Sequence, residues 1–284
     1  MFQYVLKRVL LTIPTLIGAA ALVFLLMRLI PGDICLVRLG GGGASFDPKA
    51  LAACHAEIGV DRPMIVQFLE FLWGAVRLDF GTSMWSGKPV ITEIAARLPV
   101  SLEIAILATV VAVGMAIPLG TISALKQNSW LDVAVRIFAI GGIATPSFWL
   151  GIVSVLLVLD ITNWIGGKPW MPPIDYVPIW KDPIHNLSMV ALPALTVGYR
   201  YAAVSMRMTR SAMLEVMKED YIRTARAKGL INKIIINRHA LKNALLPIVT
   251  LIGIEFAFLI GGLVVTEQVF NLNGVGRQIG RAHV

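Results

Sequence analysis

The sequence predicts an all-α, polytopic membrane protein, on three observations. Only 15% of the 284 residues are charged, where a soluble domain carries about 25%. Mean hydropathy is +0.76. Five apolar runs, 9–27, 104–125, 137–159, 187–206 and 244–266, are each long enough as helices to cross a hydrocarbon core of roughly 30 Å. No internal repeat relates them.

The elements follow in chain order. Lys7 and Arg8 precede the first run and place the N-terminus in the cytoplasm by the positive-inside rule. A cleaved signal peptide has a shorter apolar core with a small-residue site after it. Here the alanines 19–21 lie inside the run and Arg28 follows, so the span is read as retained, with Pro31-Gly32 ending it. Segment 33–99 is mixed, polar and expected outside, with helix-like stretches 50–57 and 64–76 around a flexible glycine run, 40–43. Both cysteines of the chain, Cys35 and Cys54, fall in it. An oxidising compartment would permit a bridge between them, while their spacing leaves their separation open. The segment also contains a near-match to a phosphate loop, Gly81 to Pro89 (GTSMWSGKP). One residue too many precedes Gly-Lys, and Pro89 stands where a Ser or Thr would hold magnesium, so no nucleotide site is assigned.

The runs 104–125 and 137–159 are uncharged and read as the second and third spans. Gly141, Gly142 and Pro146 interrupt the third, which suits either a pathway lining or close helix packing. Segment 160–185 is rich in proline and carries Trp164, Trp170 and Trp180, residues suited to an outer membrane interface or to meeting a delivery protein. Arg200 interrupts the fourth span and Glu255 lies near the middle of the fifth. Ionisable groups at that depth are costly unless paired or hydrated, so the two read either as an intramembrane pair or as lining a polar cavity.

Net charge is +8, and the excess is concentrated. Arg207, Arg210, Lys218, Arg223, Arg226, Lys228, Lys233, Arg238 and Lys242 crowd the loop 207–243, as expected for a cytoplasmic loop beside membrane lipid. Tyr221 is the one Phe, Tyr or Trp among them, which offers no series of rings to stack bases, so nucleic acid is not expected as a partner. The four histidines have no helical partner at i+4 and there is no CxxC, so no metal site is expected. No nucleophile stands beside a base, and no catalytic residue is assigned.

Thr-Ala-Arg-Ala-Lys-Gly at 224–229, followed by His-Ala-Leu-Lys-Asn-Ala-Leu-Leu-Pro at 239–247, resembles the EAA loop of ABC-importer permeases. It is most similar to the dipeptide/oligopeptide/nickel branch. The acidic first position of the general pattern falls on Arg223, and the gap from Gly229 to Leu246-Pro247 is longer, both in the manner of that branch. RLIPGD (28–33), DFGTS (79–83), PSFWLG (146–151) and FNLNGVG (270–276) agree with it.

The resemblance implies the type I ABC-importer permease fold, with five spans visible of an expected six. It implies a transport subunit that moves peptides or nickel across the inner membrane of a prokaryote and has no ATPase site of its own. Arg223, Thr224, Ala225, Arg226, Ala227, Lys228, Gly229, Leu246 and Pro247 would couple it to the ATPase, and Arg200 and Glu255 become candidates for the translocation pathway. The implied partners are a second permease subunit, two cytoplasmic ATPase subunits that bind ATP and magnesium, and an extracytoplasmic substrate-binding protein. No cofactor is expected in this chain. The alternatives are an integral-membrane enzyme or a scaffold without an ATPase partner. The expected organisation is 1–99, a first helix with an extracytoplasmic segment; 100–278, a permease core; and 279–284, a non-native tail. The tail fits the codons ATC GGA AGA GCA CAC GTC, which match the start of a widely used sequencing adapter.

Overall fold

The computed structural model describes residues 2–29, 32–33, 35–36, 48–83, 86–166, 168 and 170–277. The expected tail 279–284 and the glycine run 40–43 lie outside them. The described residues are helical apart from turns and the irregular segment 170–182, with one isolated bridge between Thr82 and Pro89 and no strand. Five helices are long and apolar enough to cross a membrane: Phe2–Leu29, Val90–Leu125, Ser147–Trp164, Pro183–Val216 and Asn232–Gly261.

The chain divides into two compact units, Met1–Ala95 and Ala96–Val284. In the first, α1 (Phe2–Leu29) meets α3 (Met64–Val76) through Phe24, whose ring lies 5.4 Å from Phe68 and 6.0 Å from Phe71. Arg28 donates to Gln67 across the same contact. A disulfide joins Cys35 to Cys54 on α2 (Pro48–Ile58), with their Cα atoms 5.9 Å apart. Beside it His55 Nε2 lies 2.7 Å from Asp33 Oδ2, and the Cys35 amide donates to Asp33 Oδ1 at 2.9 Å. Burial opposes ionisation of Asp33, but the Cys35 amide and His55 outweigh it, and its carboxyl sits below the usual value. Asp33, Cys35 and His55 thus bring ligand-type atoms within 4.8 Å of one another, a juxtaposition that spacing did not reveal. The Cys35 sulfur is committed to the disulfide there.

The second unit is a helical bundle. Its helices are α4 (Val90–Leu125, which begins in the first unit), α5 (Trp130–Ala144), α6 (Ser147–Trp164) and α7 (Pro183–Val216). Asp182 caps α7 by accepting from the amides of Ile184 and His185, with Pro183 in its first turn. Ser129 caps α5 by accepting from the Asp132 amide. The expected third span, 137–159, is corrected: it is two helices, α5 and α6. Pro146 holds the preceding Thr145 in extended backbone (φ −95°, ψ 126°), which no helix continues through.

Small residues let α4 and α7 approach closely. A Cβ on Gly198 would stand 2.8 Å from the Ala108 carbonyl, and one on Gly120 would stand 2.6 Å from Thr209 Cβ. Ala112, Ala116, Ala139, Ala202 and Ala203 fill the same seam around Met206. Gly142 belongs to it too, since a Cβ there would stand 2.7 Å from Ala203 Cβ. Between the two readings of the Gly141-Gly142 pair, this geometry favours close packing.

Candidate functional site

The basic loop folds onto the end of the bundle. After α7 ends, Asp220 opens the short helix α8 (Asp220–Ala227) and Arg226 lies in its last turn, the order that suits a helix dipole. Ile222 and Ala225, three apart on one face, are buried against Ala124, Ala212, Met213, Ile235, Ala240 and Ala244. Of the residues expected to couple, Ala225 therefore faces inward. Arg223, Thr224, Arg226, Ala227, Lys228 and Gly229 remain exposed on the outer face.

The stop after α8 has a defined geometry. Gly229 has φ +77°, its amide donates to the Arg226 carbonyl (2.9 Å), and the Leu230 amide donates to that of Ala225 (3.3 Å). This pair of bonds is the Schellman motif, which places its left-handed residue where only glycine carries no Cβ penalty. The next stretch, α9 (Asn232–Ile234), a π-helical segment (Ile235–Ala240) and α10 (Leu241–Gly262), follows without a break. Asn243 Nδ2 donates to the Tyr221 hydroxyl at 2.7 Å and ties α10 back to α8. Leu246 and Pro247 lie in the second turn of α10, both exposed.

The expected Arg200–Glu255 pair does not form. Glu255, 8% exposed, accepts from Ser205 Oγ on α7 at 2.9 Å. Arg200 precedes Ser205 by five residues, about 140° around the helix, so it leaves the face that meets α10 and is exposed.

Two buried carboxylates that sequence reasoning passed over organise the unit. Asp132 on α5, 0% exposed, accepts from Arg210 Nε (2.8 Å) and Nη2 (2.9 Å), from Ser123 Oγ (2.6 Å) and from the Asn128 amide (3.0 Å). Arg210 above all holds its carboxyl far below the usual range, against the effect of burial. One side chain thus ties the end of α4, the start of α5 and the cytoplasm-expected end of α7. Its sequence signal was Ser-x-x-Asp at 129–132, a helix-start pattern.

The second is Glu267 on α11 (Val264–Val269), also 0% exposed. It accepts from Ser101 Oγ (2.7 Å) and the Arg277 amide (2.8 Å), and Ser101 Oγ accepts from the Val275 amide (2.9 Å). Gly274 is pressed on its carboxylate so closely that a Cβ would collide with it. A Cβ on Gly276 would stand 2.8 Å from the Val264 backbone. The glycines of FNLNGVG are there because Glu267 and α11 leave no room. Two residues further along α4, Glu103 accepts from Tyr176 OH (2.9 Å) and Asn186 Nδ2 (3.1 Å). Burial first, and then that carboxylate, push the Tyr176 hydroxyl up to about 12.

Comparison with known proteins gives this architecture a family. The family model described as "Binding-protein-dependent transport system inner membrane component" matches residues 116–283, and the model of its N-terminal region matches 1–105. The chain belongs to this family of transport permeases. A putative peptide transport system permease protein of Brucella suis is 40% identical over 282 residues, 99% of this chain and 87% of that one. The dipeptide transport system permease protein DppB of Escherichia coli K12 is 39% identical over 298 residues, 98% of this chain and 86% of DppB. The glutathione transport system permease protein GsiC of Salmonella choleraesuis is 39% identical over 277 residues, 98% and 85%. The protein is therefore a multi-pass membrane permease that works with other ABC-transporter subunits and a substrate-binding protein. The family is one of transport components.

Proposed function

We propose that this permease carries short peptides into the cell as one of two membrane subunits of an ABC importer, with its N-terminus and α8 in the cytoplasm. The observation that carries the coupling role is α8 itself. Its apolar face is buried in the bundle, while its basic face and the Gly229 stop stand exposed. A short helix held rigidly on one side and free on the other is suited to sit in a groove of a cytoplasmic ATPase. Two ATPase subunits that bind ATP and magnesium then do the hydrolysis. Leu246 and Pro247, exposed where α10 leaves the loop, extend the same surface.

The solute class rests on the relatives, which are named for peptides, dipeptides and glutathione. Arg200 supports a pathway. It is exposed midway along α7, and a lipid-facing arginine there costs about 3 kcal/mol or more. Facing a hydrated route between two permease subunits removes that cost. Glu255, held by Ser205 on the packed side, positions α10 along that route.

The test is uptake by proteoliposomes holding this chain, its partner permease, the two ATPases and the binding protein. ATP-dependent accumulation of a labelled dipeptide, competed by other short peptides and not by nickel, is the expected result. Nickel uptake without peptide uptake would reassign the solute. Uptake of neither, with no hydrolysis stimulated by the loaded binding protein, would remove the importer reading.

A further inference from the structure

A groove at the loop-side end of the bundle carries chemistry that transport coupling does not use. Val135, Arg136, Ala139 and Ile140 of α5 form one wall, and Met206, Arg207 and Arg210 of α7 form the other. It encloses about 350 Å³, within the range of small-molecule pockets. The two ends differ in chemistry. Ala139 and Met206 are buried, Val135 is half-buried, and Ile140 stands exposed at the apolar end, one turn beyond Arg136. At the other end stand three guanidinium groups, two of them paired with one buried carboxylate, Asp132. Arg210 spends one edge of its guanidinium, Nε and Nη2, on Asp132, and Arg136 Nε lies 3.6 Å from the same carboxylate. Arg207 forms no ion pair among the described residues. Two positive charges are left over at the mouth of an apolar groove.

We propose that this groove binds the head group of an anionic phospholipid, with the start of its acyl chain laid along Ala139, Ile140 and Met206. A soluble anion would be satisfied by the arginines and gain nothing from the apolar wall. A neutral lipid would use the wall and leave the charge excess uncompensated. Only an anionic amphiphile matches both ends, and guanidinium groups suit the oxygens of its phosphate. Basic pockets between helices at the cytoplasmic face are a recurrent form of lipid site. The leaflet, but not the binding itself, rests on the cytoplasmic placement of α8 given above.

The experiment uses the complete complex, purified in detergent and titrated with short-chain phosphatidylglycerol. Retained lipid is counted by native mass spectrometry. The wild-type complex is expected to retain phosphatidylglycerol in preference to phosphatidylcholine. Arg136→Gln with Arg207→Gln is expected to weaken it about thirtyfold, taking two arginine–head-group contacts together. Arg136→Lys with Arg207→Lys, which keeps the charges and guards against a folding defect, is expected to hold most of the affinity. Ile140→Asp, which leaves the arginines intact, is expected to lose it. Equal retention by wild type and the Gln variant overturns the proposal. So does displacement of the lipid by inorganic phosphate, which would mark a free-anion site. Crosslinking of Ile140→Cys to the second permease subunit would also overturn it, by making the groove a subunit interface. Each of these can fail while peptide uptake succeeds, so the two readings are separable.

Discussion

Replacing Asp132 by Asn tests whether the buried knot between α4, α5 and α7 holds the bundle. The substitution keeps shape and volume and removes one charge. Every atom around this carboxylate is a donor: two guanidinium nitrogens, a hydroxyl and an amide. An asparagine must therefore turn its own NH2 toward a guanidinium nitrogen of Arg210 whichever way it is flipped. Arg210 also loses its counter-ion while its side chain is only 22% exposed. Removing one partner of a buried ion pair costs about 3–5 kcal/mol. Arg210 keeps some access to water, so the lower end, about 3 kcal/mol, is expected.

Thermal unfolding of the detergent-purified complex would measure it, in wild type, Asp132→Asn, Arg210→Gln and the double variant. The double variant should be more stable than the sum of the singles by about 1–3 kcal/mol, since it leaves no uncompensated charge. The pH dependence follows from the lowered carboxyl value. A carboxylate depressed in the fold contributes fully above its unfolded value of about 3.9 and loses that contribution only as pH falls below it. The gap between wild type and Asp132→Asn should thus be flat from about pH 5 to 8 and close only under stronger acid. Additive singles, or a variant within about 0.5 kcal/mol of wild type, would refute the reasoning.

Three further outcomes are expected. Gly229 has open space where a Cβ would go, so Gly229→Val pays only the left-handed backbone cost of about 1–2 kcal/mol; it should insert normally but lose substrate-stimulated ATP hydrolysis, while Gly229→Asn keeps most of it, and normal stimulation in the Val variant would count against α8 as the docking helix. Gly274→Ala forces a methyl onto the Glu267 carboxylate and should destabilise by about 1–3 kcal/mol, read as a lower melting temperature, whereas an unchanged melt would mean that the 272–277 turn is not packed as described. With Cys35 and Cys54 bridged, a thiol reagent should modify neither before reduction and both after it, and in intact spheroplasts a membrane-impermeant reagent should label Asp79→Cys but not Asn232→Cys; labelling of position 232 would invert the topology.

The sequence by itself determined what depends on local order and composition. Apolar run length decided that the chain is a helical membrane protein, because backbone groups in lipid must be satisfied within the segment. The Thr-Ala-Arg-Ala-Lys-Gly stretch gave the short helix and its stop, because both bonds of a glycine cap are local. Met64–Val76, an apolar stretch that begins directly after Pro63, was legible to the residue as well. A proline signal was present at Pro146 and was underweighted: hydropathy ran on through 137–159, but the backbone before a proline does not.

Tertiary structure decided which charges meet. Arg200 and Glu255 looked matched by depth, yet depth along two helices says nothing about rotation around them, and Ser205 took the place of Arg200. Asp132 and Arg210 are 78 residues apart, and Glu267 and Ser101 are 166 apart. No spacing rule pairs them. They meet because alanines and glycines bring α4 and α7 close enough that, once the apolar faces are packed, the remaining polar groups must satisfy one another.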